Sequence, residues 1–154
     1  MLNRVIQTSD SIGLFVLRLS LGAVLLAHGA QKVFSFFGGE GPQATIRMFA
    51  HMGLPRWVAI FAMAVEVLGG LGLVVGLLTR IPALGALALM AGAAYEVHAR
   101  FGFFMNWSGK NGGEGVEYHL LAGAVALALL LGGGGRWSID RALSKGNRKR
   151  SWKK

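Results

Sequence analysis

Four ionisable side chains stand in or beside long apolar runs of this sequence, where a charge is unfavourable. They are His28, Lys32, Glu66 and Glu117. His28 and Lys32 are four residues apart, so a helix would present both on the same side. Histidine and carboxylate groups can transfer protons, and a lysine can hold an anion or a carbonyl oxygen. If these runs cross a membrane, the four residues are candidates for a ligand-binding or proton-relay site.

The composition of the chain indicates a membrane protein. Its 154 residues are 53% hydrophobic and only 15% charged, whereas an average soluble domain carries about 25% charged residues. The chain has no cysteine, which excludes iron–sulfur clusters and thiol redox chemistry on its own side chains. The net charge of +9 is concentrated at the C-terminus, beside an apolar run. That position is typical of the cytoplasmic side of a membrane protein, where a basic segment meets anionic lipid, and we expect no nucleic-acid partner.

Four apolar stretches predict an all-α membrane protein, a bundle of four transmembrane helices with cytoplasmic N- and C-termini. The spans cover residues 12–37, 57–78, 81–100 and 116–133, and a short helix is expected at residues 44–52. We expect one transmembrane domain, residues 1–144, followed by a basic cytoplasmic tail, residues 145–154. The turn before Pro82 predicts a tight hairpin between the second and third spans. Small residues at helical spacing predict close helix packing, and they are Gly69, Gly72, Gly76, Gly85, Ala88 and Gly92.

Position along the helices places most of the ionisable groups in the outer half of the membrane. Glu66 lies near the middle of the second span, and His28 and Lys32 lie in the outer half of the first. Arg18 lies in the inner half and projects within about 40° of Lys32 at 100° per residue. We therefore expect Arg18, His28 and Lys32 to form one polar stripe facing the bundle interior, since each charge facing lipid costs about 2.5–3.5 kcal/mol or more. Arg18 and Arg80 are assigned structural roles.

The outer ends of the third and fourth spans carry further ionisable residues. Glu117 and His119 are two residues apart, so only one can face straight inward, and we expect Glu117 to do so with Tyr118 beside it. Glu96 and Arg100 are four residues apart at a helix end and are expected to form a surface ion pair.

Each candidate also has a structural interpretation that the sequence leaves open. Lys32 can extend towards the membrane surface while its stem stays in lipid. His28 can be a hydrogen-bonding structural residue, and Glu66 can form a buried ion pair that only fixes the helix register. His51 and His98 lie near the membrane interface and are expected to be solvated.

Together these segments resemble the DoxX family of small bacterial membrane proteins. The resemblance covers residues 15–143 and rests on R-x(n)-HG-x-x-K in the first span, on E-x-x-G-G and G-x-x-T-R around the second, and on a glutamate that opens the fourth. The family pattern falls on Arg18, His28, Gly29, Lys32, Glu66, Gly69, Gly70, Arg80 and Glu117. The resemblance implies a four-helix bundle in the bacterial plasma membrane and gives no agreed catalytic residue.

The resemblance also implies a functional theme. Family members are described as small subunits of quinone-linked oxidoreductases, such as a thiosulfate:quinone oxidoreductase, and as parts of redox or detoxification complexes. More distant eukaryotic relatives act as cargo receptors, so the fold does not dictate one chemistry. The resemblance favours an accessory subunit with a quinone as the candidate cofactor and with partner subunits or further copies of the chain beside it.

Two other functions stay open at this point. The chain can be a small oligomeric transporter or a membrane assembly scaffold. A haem or metal protein is disfavoured, because His28 and His119 differ in depth and no span carries the Glu-x-x-His motif of carboxylate bundle sites. We therefore expect no metal.

Overall fold

The long helices of the protein follow the apolar stretches of its sequence. The computed structural model describes residues 5–144, and the predicted basic tail lies outside them. The helices are α1 (Ile12–Phe34), α2 (Gly41–His51), α3 (Arg56–Val75), α4 (Arg80–Phe101) and α5 (Glu117–Gly132). Residues 139–144 form a further helical segment, and no strand occurs in the described range.

Three of the four predicted spans are confirmed as helices long and apolar enough to cross a membrane, namely α1, α3 and α4. The α5 helix is also apolar but has 16 residues, about 24 Å at 1.5 Å per residue, which is less than the hydrocarbon thickness of about 30 Å. Only residues 76–79 separate α3 from α4, so the predicted hairpin is confirmed. The short helix predicted in the first connection is α2.

The four long helices form an antiparallel ring in which α1 and α4 each pack against α3 and α5. Apolar side chains from all four fill the centre, including Leu25, Leu73, Ala86 and Leu129. We call the end with the start of α1 and the α3–α4 turn the terminal side. The opposite end carries α2 and the connection between α4 and α5, and we call it the loop side.

Glycines allow α1 and α3 to approach closely. A Cβ on Gly22 would lie 2.9 Å from a Val74 methyl and 3.0 Å from the Gly70 carbonyl oxygen. The predicted close packing at small residues is confirmed in part. A Cβ on Gly69 or on Gly72 would lie 3.4 Å from a side-chain carbon of Pro82 in α4. The expectation for Gly92 is wrong, since nothing lies within 4 Å of the position of its Cβ among the described residues.

Arg18 joins three segments at the terminal side. It is 1% exposed, and its guanidinium donates to backbone carbonyls of α3 and of the segment after α5. Nε donates to Gly134 O at 2.9 Å, Nη2 to Trp137 O at 2.9 Å, and Nη1 to Leu73 O at 3.0 Å and to Val74 O. The charge is thereby stabilised by direct hydrogen bonds to carbonyl dipoles, with the carboxylate of Asp140 within electrostatic range.

Asp140 fixes the start of α4. Its carboxylate is fully buried and accepts hydrogen bonds from the N–H groups of Leu78 at 2.7 Å and Thr79 at 2.8 Å. These are amides at the helix start that have no partner within α4. Arg80 donates from Nη1 to Leu130 O at 2.5 Å, which holds the start of α4 against the end of α5.

An exposed ion group connects the start of the chain to the segment after α5. Arg136 Nε donates to Asp10 Oδ1 at 2.7 Å, and Arg141 Nη1 contacts the same oxygen. The hydrogen bonds from Arg136 and Arg141 hold the pKa of Asp10 well below its usual range. In turn, the hydrogen bond to Asp10 raises the pKa of Arg136.

We expect replacement of Arg18 by Met to destabilise the protein strongly. Four carbonyl contacts would lose their donor, and unsatisfied buried polar groups cost about 1–3 kcal/mol each. The loss is read from denaturant unfolding in detergent micelles, with a fall of at least about 2 kcal/mol expected. Arg56→Met is the control, because Arg56 is exposed at the start of α3. Equal effects of the two substitutions would contradict the proposed role of Arg18.

The ion group of Asp10 predicts a pH-dependent difference between wild type and Asp10→Asn. A carboxylate with a lowered pKa contributes stability that is present above its unfolded pKa of about 3.9 and is lost as pH falls towards the folded value. The wild type should therefore unfold at a higher temperature at pH 6, and the two midpoints should converge below pH about 4. High salt should also reduce the difference, because the group is exposed. A difference that is constant from pH 3 to pH 6 would rule this out.

Candidate functional site

A buried ion pair lies between α1 and α3 in the loop-side half of the bundle. Lys32 Nζ and Glu66 Oε1 are 2.5 Å apart, and the Glu66 side chain is 7% exposed. The second carboxylate oxygen of Glu66, Oε2, is buried and has no hydrogen-bond partner among residues 5–144. The pair therefore leaves one buried acceptor without a protein donor in the described residues.

Two features of the backbone place Glu66 opposite Lys32. Glu66 lies in a π-helical turn, Val65–Gly69, inside α3, and such wide turns are frequent at functional sites. Gly29 of α1 lies directly against this turn, because a Cβ there would be 3.1 Å from the Glu66 carbonyl carbon and 2.7 Å from a Val67 methyl. The glycine after His28 thus brings the two helices into contact at the level of the pair.

The predicted inward stripe of α1 is confirmed for Arg18 and wrong for His28. Arg18 is buried and Lys32 is partly buried, whereas His28 is exposed. The reason is angular, since His28 lies about 80° from Arg18 around the helix at 100° per residue. Gly29 takes the place of His28 in the contact with α3. His28 still lies within electrostatic range of Lys32 and Glu66.

Glu117 is half-buried at the start of α5 and binds the backbone of the connection that precedes it. Its Oε2 accepts a hydrogen bond from the Met105 N–H at 3.1 Å, so it holds the α4–α5 connection. No ion pair within 4.0 Å joins it to Lys32 or another cation in the described part of the chain. Tyr118, the next residue, packs against the core and lies within electrostatic range of Glu66.

Two histidines meet at the loop-side ends of α4 and α5. The rings of His98 and His119 are 4.1 Å apart and tilted by 33°. Nδ1 of His98 lies 2.8 Å from the Glu114 carbonyl oxygen, and since a carbonyl only accepts, Nδ1 donates the hydrogen. His98 is half-buried, so the expectation that it is solvated is confirmed only in part. His51, by contrast, is exposed as expected.

The expected Glu96–Arg100 ion pair does not form within the described residues. The residues from Ala94 to His98 form a second π-helical turn, and the next three form a 3₁₀ turn. The spacing of four therefore no longer places two side chains on one face. Arg100 stacks over the Phe101 ring at 4.7 Å instead.

Sequence reasoning missed several residues for identifiable reasons. Gly29 and His119 lie next to or near the candidates His28 and Glu117 in the sequence, and hydropathy and spacing alone do not distinguish them. Asp140 is an isolated acidic residue in a basic segment, and that contrast could have identified it as a buried acceptor. No group of three or more His, Cys, Asp or Glu suited to a metal ion occurs between residues 5 and 144.

Comparison with known proteins places the chain among bacterial membrane proteins. A family model described as DoxX matches residues 13–99, which is more than half of the chain and ends before α5. The "Putative oxidoreductase CatD" of Bacillus subtilis (strain 168) is 31% identical over 121 residues, 79% of this chain and 81% of that protein.

Two further relatives match along most of their length. The "Uncharacterized membrane protein Rv3486" of Mycobacterium tuberculosis (strain ATCC 25618 / H37Rv) is 32% identical over 151 residues, 92% of this chain and 88% of that protein. The "Inner membrane protein YqjF" of Escherichia coli (strain K12) is 26% identical over 136 residues, 88% of this chain and 95% of that protein. No solved structure gives a significant match.

We expect the Lys32–Glu66 pair to behave as one coupled unit in a double-mutant cycle. Lys32→Met or Glu66→Gln alone should lower the free energy of unfolding by about 3–5 kcal/mol, because each leaves a buried partner uncompensated. The double variant should lose clearly less than the sum of the two. The exposed pair of Asp10 and Arg136 serves as the control cycle, in which little coupling is expected. Additive losses at Lys32 and Glu66 would show that the two charges do not interact.

Proposed function

The chain belongs to the DoxX family, and on that premise we propose that it is an accessory subunit of a quinone-linked redox or detoxification complex. It is a multi-pass protein of the bacterial inner membrane. The name of the Bacillus subtilis relative, a putative oxidoreductase, supports a redox role. Electrons would come from a partner subunit, because this chain has no cysteine to hold an iron–sulfur cluster or to be oxidised itself.

We also propose that α5 is a fourth span, which leaves both termini in the cytoplasm and the loop side facing outward. The α5 helix packs antiparallel along α4, and Arg80 at the start of α4 reaches Leu130 near the end of α5. A helix shorter than the hydrocarbon core is accommodated by local thinning of the bilayer at modest cost. The sequence that follows α5 supports this orientation, because basic residues are typical of the cytoplasmic side. They are Arg136, Arg141, Lys145, Arg148, Lys149, Arg150, Lys153 and Lys154.

The observation that carries the proposal is the Lys32–Glu66 pair with its unused carboxylate oxygen. Oε1 of Glu66 is held by the ammonium of Lys32 at 2.5 Å, and Oε2 is buried without a partner in the described residues. A carboxylate in this position can accept a proton on Oε2, and Lys32 compensates its charge when the proton leaves. Quinone reduction consumes protons as well as electrons, so a buried proton carrier suits a subunit that assists it.

His28 extends this arrangement towards the helix surface. It lies one helical turn before Lys32 and is exposed, and it is within electrostatic range of both Lys32 and Glu66. A neutral imidazole can take a proton on one nitrogen and release one from the other. We propose that His28 exchanges protons with the pair, while Glu117 holds the loop that covers the bundle on this side.

The test is the quinone-reduction rate of the complex purified with this chain from bacterial membranes. We expect Glu66→Gln to lower the rate at least tenfold while the same partner subunits still co-purify, because the amide keeps the shape but cannot carry the proton. Glu96→Gln is the matched control, since Glu96 is an exposed glutamate on the same side of the bundle.

Three outcomes would contradict the proposal. The first is purification without any redox subunit, and the second is a rate that Glu66→Gln leaves unchanged. The third is loss of the partners with either variant, which would favour an assembly scaffold. Flux of a solute through liposomes containing the chain alone would favour the transporter.

A further inference from the structure

A lipid-facing groove lies between α4 and α5, away from the Lys32–Glu66 pair. Its walls are apolar and its floor is formed by small residues, and the lining includes Leu87, Met90, Ala91, Gly123 and Leu127. From the level of His119 to that of Leu127 the groove runs about 12 Å along α5 at 1.5 Å per residue. Over this length its lining is almost entirely apolar, and it opens to the side of the bundle that faces lipid.

The loop-side end of this groove differs from the rest because it carries polar and aromatic groups. His119 lines it together with Tyr95 and Phe103. Nδ1 of His119 is buried beside the Gly115 carbonyl, without reaching hydrogen-bond geometry. The other ring nitrogen, Nε2, is not enclosed and has no protein partner in the described range, so it is available to a ligand.

The lining of the groove limits the chemistry of that ligand. No lysine, arginine, aspartate or glutamate lines it, so a phosphate or ammonium head group would find no counter-charge. The stacked His98 and His119 rings, 4.1 Å apart, and the nearby Phe103 ring favour a flat head group. An imidazole can accept a hydrogen bond from a hydroxyl or donate one to a carbonyl.

We infer that the groove binds an isoprenoid quinone or quinol, with its ring beside His119 and its tail along the apolar wall towards the middle of the membrane. Both redox forms fit, because His119 can accept from the quinol hydroxyl or donate to the quinone carbonyl. His98 supports His119, since its hydrogen bond to the Glu114 carbonyl fixes its ring. The inference rests on the proposed function for its biological use and names the place where the quinone would bind.

A second groove of the same molecule provides an internal control. It lies between α3 and α4, on the neighbouring face of the bundle, and its lining includes Phe61, Leu68, Ile81 and Ala88. No histidine, tyrosine or charged residue lines it. If apolar shape alone decided binding, the two grooves would be equivalent.

The experiment uses the full chain in nanodiscs of phosphatidylcholine and phosphatidylglycerol, with a short-chain ubiquinone that carries a diazirine on its tail. After illumination, mass spectrometry locates the labelled residues. We expect labels in the groove between α4 and α5, displaced by decylubiquinone and not by decylbenzene, which has the tail without the carbonyls.

Two substitutions three residues apart on α4 form the matched pair. Ala91→Phe fills the proposed groove and should lower labelling at least tenfold, whereas Ala88→Phe fills the second groove and should leave it within twofold. His119→Leu should lower labelling at least fivefold, and His119→Gln should restore part of it. Gel filtration checks the fold, and Ala124→Phe, on the α5 wall, replaces Ala91→Phe if that variant does not fold.

The outcomes separate this inference from the proposed function. Equal labelling of both grooves, displacement by decylbenzene, or full labelling of His119→Leu would overturn it and indicate a non-specific lipid position. Labelling that depends on His119, combined with an unchanged rate for Glu66→Gln in the complex, would uphold this site and overturn the proposed function. Labelling that does not depend on His119, combined with a lowered rate for Glu66→Gln in the complex, would overturn this site and uphold the proposed function.

Discussion

The structure depends on the requirement that every charge within an apolar bundle has a partner. Arg18 meets it with backbone carbonyls, and Lys32 meets it with the carboxylate of Glu66. Both solutions need α1 and α3 in close contact, because Glu66 and two of the carbonyls that Arg18 binds, those of Leu73 and Val74, belong to α3. Gly22 and Gly29 provide that contact, since a side chain at either position would collide with α3. The polar residues and the glycines of α1 therefore form one constraint, in which the glycines set the distance that the charges require.

Inside the bundle, the polar groups at the two ends bind different partners, and the exposed ion group of Asp10 lies outside this comparison. At the terminal side Arg18, Arg80 and Asp140 bind backbone groups, which fixes how the segments are connected. At the loop side ionisable side chains meet one another, Lys32 with Glu66 and His98 with His119. A side chain that holds backbone groups cannot change its protonation state without loss of structure. Paired ionisable side chains can exchange protons within a fixed fold. This difference favours the loop side as the place where chemistry occurs.

Much of the fold follows from hydropathy and spacing, and part of the site follows from depth. The apolar runs predict α1, α3 and α4. Depth predicts that Glu66 meets His28 or Lys32, and the structure shows that the partner is Lys32. The errors lie where the helix period changes or where a loop decides. The π-helical turn of α4 breaks the spacing that suggested a Glu96–Arg100 pair, and it places His98 against His119. Glu117 accepts a hydrogen bond from the Met105 N–H in the α4–α5 connection. No periodic pattern in the sequence specifies the path of that connection. Asp140 binds amides 61 and 62 residues away, and such a contact needs the tertiary structure.

Tyr118 lies between the two candidate sites. Tyr118 packs edge-on against His119, with ring centroids 5.2 Å apart, and its other surroundings are the core and the field of Glu66. Each site also borders a π-helical turn, Val65–Gly69 at Glu66 and Ala94–His98 at His98. Wide turns of this kind leave backbone groups less constrained than a regular helix does. A change of charge at Glu66 would alter the potential at the Tyr118 hydroxyl, and a ligand against His119 would restrict the same ring. If Glu66 takes up a proton and the groove binds a ligand, as we propose, Tyr118 is the side chain through which the two events would influence each other.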